Sequence, residues 1–209
     1  MAKAQFIKSA RKDIYHRGKQ VEYVSKRGKR AGQTLTKIDR TQPCDDKDEI
    51  LIHKGEDYWT WSFMYGGTYY SKTAPRQSQL TQNEYKQTIY SLQEEIDDWK
   101  PSETDEAESF VDEVRGEIED LKEQQEEKLD NMPEQLQDSD AGQTLQERID
   151  NLDDVLCDID SIDTDYDSFD WEDAPDDSDK ELTEEQEQEK RLAFFDMVRS
   201  AMQELSLDC

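Results

Sequence analysis

The chain of 209 residues holds three cysteines, five prolines and two histidines, and each scarcity excludes something. Cys44, Cys157 and Cys209 lie far apart and in no C-x-x-C spacing, so they supply neither a disulfide framework nor a zinc ribbon. His16 and His53 are the only imidazole bases, and neither stands in a motif with a serine or cysteine nucleophile. No G-x-x-x-x-G-K-[ST] or G-x-G-x-x-G phosphate loop occurs. The expectation is a protein without catalysis, cofactor or metal. No apolar run approaches the roughly 20 residues that span a bilayer, and the opening MAKAQFIKSARK has no secretory apolar region. A cytoplasmic protein with no membrane partner is expected. Only 33% of the residues are apolar while 38% are charged, which leaves little for one large core.

What the chain has in abundance is charge, and it is sorted by position. Residues 1 to 40 hold twelve Lys or Arg against three acids, residues 41 to 80 four against six, and residues 81 to 209 ten against 44, for a net −27. A basic head and a polyanionic tail imply different partners and different work.

The head carries short β-branched and aromatic runs separated by Gly-bearing turns, which is the punctuation of strands and hairpins. Its densest stretch, YWTWSFMYGGTYYSKT at residues 58 to 73, has seven aromatic rings in sixteen positions. Gly66-Gly67 suits a two-residue turn, which pairs Phe63 with Tyr70 and Trp61 with Lys72. That register sets Trp59, Trp61, Phe63, Tyr65, Tyr70 and Lys72 on one face. Trp59, Trp61 and Phe63 are expected as core, and Tyr65, Tyr69 and Tyr70 as stacking contacts for unpaired bases. Lys8, Arg11, Lys12, Lys26, Arg27, Lys29, Arg30, Lys72 and Arg76 are the candidate phosphate contacts.

The apolar period changes from 2 to 3.5 near Leu80-Thr81, so an α+β chain is expected: a small antiparallel β-rich domain over residues 1 to 80, then an acidic antiparallel helical hairpin or bundle. Thr81-Gln82-Asn83-Glu84 reads as a capping box before Tyr85, Ile89, Leu92, Ile96 and Trp99. A second stripe runs Ala107, Val111, Val114, Ile118, Leu121, weakening toward Pro133. A third, Leu145, Ile149, Leu152, Leu156, Ile159, follows a Gly-containing connector and is expected to fold back antiparallel on the second, closing a unit of residues 81 to 162. Within residues 181 to 209, a second capping box, Thr183-Glu184-Glu185-Gln186, precedes a helix with Leu192, Phe195, Val198, Met202 and Leu205 on one stripe and Phe194, Met197 and Ala201 on another.

Residues 163 to 179 hold nine acids with Tyr166, Phe169 and Trp171 between them. Asp163, Asp165 and Asp167 match the start of a calcium loop, but Ser168, Asp170 and Ala174 break it where Gly, an apolar residue and Glu belong. Residues 163 to 180 are therefore expected as an acidic linker without regular structure. Its rings, with Phe194 and Met197 of the following helix, are the candidate contacts for a basic protein partner.

The stretches KSARKDIY, GQTLTKIDR, KGEDYWTWSFMYGG, YSKTAPRQSQLTQ and NMPEQLQDSDAGQTLQERIDNLDD resemble a tailed-bacteriophage protein family of no established activity. The likeness covers most of residues 1 to 160 and implies a viral protein in the host cytoplasm; it carries over no functional residue. Three functions fit these features. The first is an accessory protein that binds nucleic acid, single strands favoured, through the basic aromatic head, with the acidic tail as an interaction module. The second is an acidic mimic of DNA that inhibits a host nucleic-acid or defence enzyme. The third is an assembly protein that homo-oligomerises through its helical seams.

Overall fold

A computed structural model describes residues 1–25, 33–64, 66–171 and 182–207. The chain divides into two compact units, Met1–Gln82 and Asn83–Cys209.

In the first unit, seven short strands form three small antiparallel sheets: β1 (Gln5–Ile7), β2 (Ile14–Tyr15), β3 (Lys19–Val24), β4 (Thr34–Asp39), β5 (Ile50–Ile52), β6 (Tyr58–Ser62) and β7 (Thr68–Ser71). The sheet orders are β1-β6-β7, β2-β5 and β3-β4. Their shared core is small: Ala10, Ile14 and Ile52, with Leu51, Tyr58 and Tyr70 packed against it. So little apolar burial requires polar ties, and Asp48 supplies the main one. Its carboxylate, inaccessible to solvent, accepts hydrogen bonds from the backbone N–H groups of Arg17 (2.9 Å), Gly18 (2.8 Å) and Cys44 (3.0 Å). Desolvation works against the charge, but these donors outweigh it and hold the Asp48 carboxyl down at about 2. Gly18 has φ 72°, and a Cβ there would lie 2.7 Å from the Arg40 Cα, so no other residue fits this turn.

The aromatic hairpin corrects the expected register. Trp61 pairs with Tyr69 and Thr60 with Tyr70, three residues away from the pairing a Gly-Gly turn dictates, and residues 63 to 67 connect the strands. An odd shift moves side chains to the other face. Tyr70 therefore shares a face with Tyr58, ring centroids 6.0 Å apart, over the Ile14–Ile52 core. Tyr69 instead stacks on Trp61 on the opposite face, at 5.7 Å and 13°.

The second unit is helical: α1 (Glu84–Asp98), α2 (Asp105–Asp130), the single turn α3 (Glu134–Gln137), α4 (Asp140–Asp160) and α5 (Glu184–Gln203). The three-four spacing of apolar residues becomes one continuous core of Tyr85, Ile89, Leu92 and Ile96 from α1, Val111 to Leu121 from α2, Leu152, Val155 and Ile159 from α4, and four side chains of α5. Ion pairs Arg115–Asp160 and Lys122–Asp153 run in opposite directions along the two chains, so α4 lies antiparallel on α2. Part of the expected connector is instead α3, and Gly142 belongs to the first turn of α4. A Cβ at Gly142 would sit 2.0 Å from the Gln137 carbonyl oxygen, so only glycine lets the two helices meet. Asn83, not Thr81, caps α1, accepting from the Lys86 N–H at 3.1 Å. Thr183 and Gln186 do form the reciprocal capping box at α5.

One expectation for the tail is corrected. Leu192 is 63% exposed and leaves the core stripe, while Phe194, assigned to a flanking stripe, is fully buried beside Phe195, Val198 and Met202. In the acidic interval, residues 163 to 171 have no helix or strand, yet they are not a detached tether. Tyr166 and Phe169 meet the Phe194 ring edge-on at 5.3 and 5.5 Å, and Trp171 is buried. Asp163 and Asp165 spend their side chains on the backbone N–H groups of Asp165 and Asp167, at 3.0 Å each, which turns the chain locally. Residues 172 to 180 of the expected linker lie outside the described residues. Among the described residues no helix is long and apolar enough to cross a membrane.

Candidate nucleic-acid interface

The segment after β1 is held by long-range bonds from its backbone and side chains. Ser9, with φ 58°, donates its N–H to Asp57 Oδ1 at 2.8 Å, and Ala10 donates to the Glu56 carbonyl at 2.8 Å. The Ala10 carbonyl accepts from Gly55, and Asp13 Oδ1 accepts from the Lys54 N–H at 2.7 Å. A non-glycine residue in the left-handed region persists only where its surroundings fix it, and here four bonds fix it. Their effect is to bind the segment by its backbone and leave the side chains of Lys8, Arg11 and Lys12 exposed.

Lys8, Arg11 and Lys12 line one open cleft of about 570 Å³ with Tyr58 and Tyr70, together with Ile7, Ser9, Ile14 and Thr41. Tyr58 and Tyr70 are half-buried, each presenting part of a ring to the cleft. Desolvation, with Tyr58 close by, raises the Tyr70 phenol above its ordinary value against the pull of Arg40, so it stays neutral and a hydrogen-bonding group at physiological pH. The Arg40 guanidinium lies 5.9 Å from the Tyr70 ring centroid. Among the described residues, no carboxylate comes within 4 Å of the Lys8, Arg11 or Lys12 charge. Asp39, the nearby acid, accepts from the N–H and hydroxyl of Thr41 and from Gln42, and these Thr41 bonds, with the Lys37 and Lys12 charges farther off, hold its carboxyl below the usual range. Cations with no carboxylate in contact, set around aromatic rings, can hold an anion and a flat group together. No protein-family model, no curated protein and no solved structure matches the chain. The cleft must therefore be interpreted from its own chemistry.

Of the twelve residues expected at a nucleic-acid surface, Lys8, Arg11, Lys12 and Tyr70 meet here. Lys72 does not: its ammonium is 2.9 Å from Glu56, whose carboxylate also accepts from the His53 N–H and is held below the usual range by that bond and by Lys72. Tyr69 lies on the other sheet face, 41% exposed, between Trp61 and the edge of Phe63. Arg76 follows β7 and does not line the cleft. Lys26, Arg27, Lys29, Arg30 and Tyr65 lie outside the described residues. Tyr58 and Arg40 were missed, because the mistaken hairpin register put Tyr58 away from Tyr70 and nothing local connects Arg40 to either.

The candidate partner contacts of the tail are used internally. Phe194 has no exposed area, Trp171 is buried, and Tyr166, Phe169 and Met197 pack on the same core. Tyr166, Phe169 and Met197 keep part of their surface exposed. Among the described residues no cluster of His, Cys, Asp or Glu could hold a metal.

Proposed function

We propose that the protein binds single-stranded nucleic acid through the cleft of its basic unit, as a binding module and not as an enzyme. The observation that carries this reading is that Lys8, Arg11 and Lys12 line one cleft with Tyr58 and Tyr70 and, among the described residues, have no carboxylate within 4 Å of their charges. A volume of about 570 Å³ lies in the range of ligand pockets and suits a nucleotide. The rings favour single strands, since a base in a duplex already has both faces stacked and cannot lie on tyrosine. The charge distribution supports a contact in the same unit. Residues 1 to 82 hold 16 basic and 9 acidic residues, net +7, whereas residues 83 to 209 hold 10 and 44, net −34, and repel a polyanion. The setting proposed is the host cytoplasm, supported by the phage-family resemblance of residues 1 to 160.

Fluorescence anisotropy of a labelled thymidine octanucleotide, titrated with the full chain over a salt series, tests the reading. Three phosphate contacts in this cleft contribute about −2 to the slope of log affinity against log salt. Lys12→Ala should flatten that slope by about 0.7, and unlabelled duplex of equal length should compete poorly. Equal competition by duplex, or no effect of Lys12→Ala, removes the proposal.

A further inference from the structure

Tyr70 lines a second cleft as well. Of about 400 Å³, it is walled by Lys37, Ile38 and Arg40 from the end of β4 and by Gly66, Gly67 and Thr68 at the start of β7. Arg40 is held there by its own carbonyl, which accepts from the Tyr15 N–H at 2.8 Å, and its guanidinium reaches over the Tyr70 ring. Lys37 is exposed, its ammonium lies 5.5 Å from the Tyr23 ring centroid, and, among the described residues, no carboxylate is within 4 Å of it, Asp39 acting on it only at longer range. No atom lies within 4 Å of where a Cβ on Gly67 would be, so a ligand can approach this backbone closely. The two clefts share one aromatic wall and each has its own cations. That repeat matches a strand, in which bases and phosphates recur.

We propose that this second cleft takes the next phosphodiester of the same single strand, with Lys37 and Arg40 holding the phosphate and Tyr70 forming the wall that the two clefts share. The inference rests on the binding function proposed for the first cleft. It follows that the protein reads at least two consecutive nucleotides in a fixed register, and that Tyr70 serves both.

The test uses the full chain and the labelled thymidine octanucleotide, with four variants whose folding is checked by circular dichroism. Lys37→Ala removes one phosphate contact, and the salt slope should shrink by about 0.7, so a fourfold rise in salt costs this variant about 2.6-fold less affinity than wild type. Ile38→Glu changes a side chain that is 61% exposed, places a carboxylate in the cleft, and should weaken binding further. Lys47→Ala, an exposed lysine outside both clefts, should leave the slope unchanged. Lys12→Ala reports on the first cleft. If Lys12→Ala weakens binding while Lys37→Ala and Ile38→Glu do not, the second subsite is overturned and the first survives. If Lys47→Ala acts as strongly as Lys37→Ala, the effect is general charge and the subsite is overturned. If Lys12→Ala also has no effect, both ideas fail together.

Discussion

Phe194→Ala is the sharpest probe of the helical unit, because it removes the ring on which the acidic interval rests. Phe194 is fully buried, and its ring touches Tyr166 at 5.3 Å, Phe169 at 5.5 Å and Phe195 at 5.9 Å. Truncating a buried phenylalanine costs about 3 to 5 kcal/mol, and the high end applies where neighbours cannot collapse into the space. Here two of the neighbours, Tyr166 and Phe169, belong to a segment crowded with carboxylates and lose the ring they rest on. A loss of about 4 to 5 kcal/mol is expected, against a total near 6 to 19 kcal/mol for a unit of this length. Urea unfolding followed at 222 nm measures it, since every α-helix among the described residues lies in this unit. A double-mutant cycle with Tyr166→Ala should give a coupling of about 0.5 to 1.5 kcal/mol. The Tyr166 hydroxyl is buried without a hydrogen-bond partner among the described residues, so Tyr166→Phe should cost nothing or stabilise. A loss below about 1 kcal/mol for Phe194→Ala, together with zero coupling, would refute the docking of the interval.

Other substitutions separate stability from binding. Ile52→Ala, which empties the one fully buried side chain of the head core, should cost about 2 to 5 kcal/mol in denaturant titration. Asp48 has its folded value depressed to about 2, below the ordinary carboxylate value of about 3.9, so its stabilisation is complete above the ordinary value and lost as pH falls through about 2. An acid titration of Asp48→Asn should lack that part of the wild-type decline, measured by tryptophan fluorescence. Glu117 shows the opposite sign: desolvation, with Glu95, Glu113 and Asp120 around it, raises its carboxyl, so stability is lost as pH rises through its folded value. Glu117→Gln should therefore raise the melting temperature at neutral pH, and the gain should vanish in acid where Glu117 is protonated.

The helical seams were legible because each apolar residue at three-four spacing has one way to face inward, and Ala107 through Leu121 and Leu145 through Ile159 do so apart from a small shift of Val155 into the place of Leu156. In α5 two adjacent stripes competed, and composition could not say that Phe194 lies inside and Leu192 outside. The aromatic hairpin defeated the same logic in strand form. Rings stand on both faces, Tyr58 and Tyr70 on one and Trp59, Trp61 and Tyr69 on the other, so alternation does not fix the register, and Gly-Gly suggested a turn tighter than the one formed. The cleft was half legible. Its cations sit close together in the sequence as Lys8, Arg11 and Lys12, but the bonds that aim them come from Asp57 and the Lys54 backbone, more than 40 residues away. No local pattern encodes such contacts.

The central claim is that Tyr58 and Tyr70 are where an unpaired base lies. Photocrosslinking tests it most directly: an oligouridylate carrying 5-iodouracil is irradiated with the full-length protein at moderate salt, and the joined peptides are mapped by mass spectrometry. The account predicts adducts on Tyr70 and Tyr58, reduced by excess unlabelled single strand and by Lys8→Glu with Lys12→Glu. Adducts on Tyr69, on the opposite face of the sheet, or only within residues 83 to 209 would contradict it.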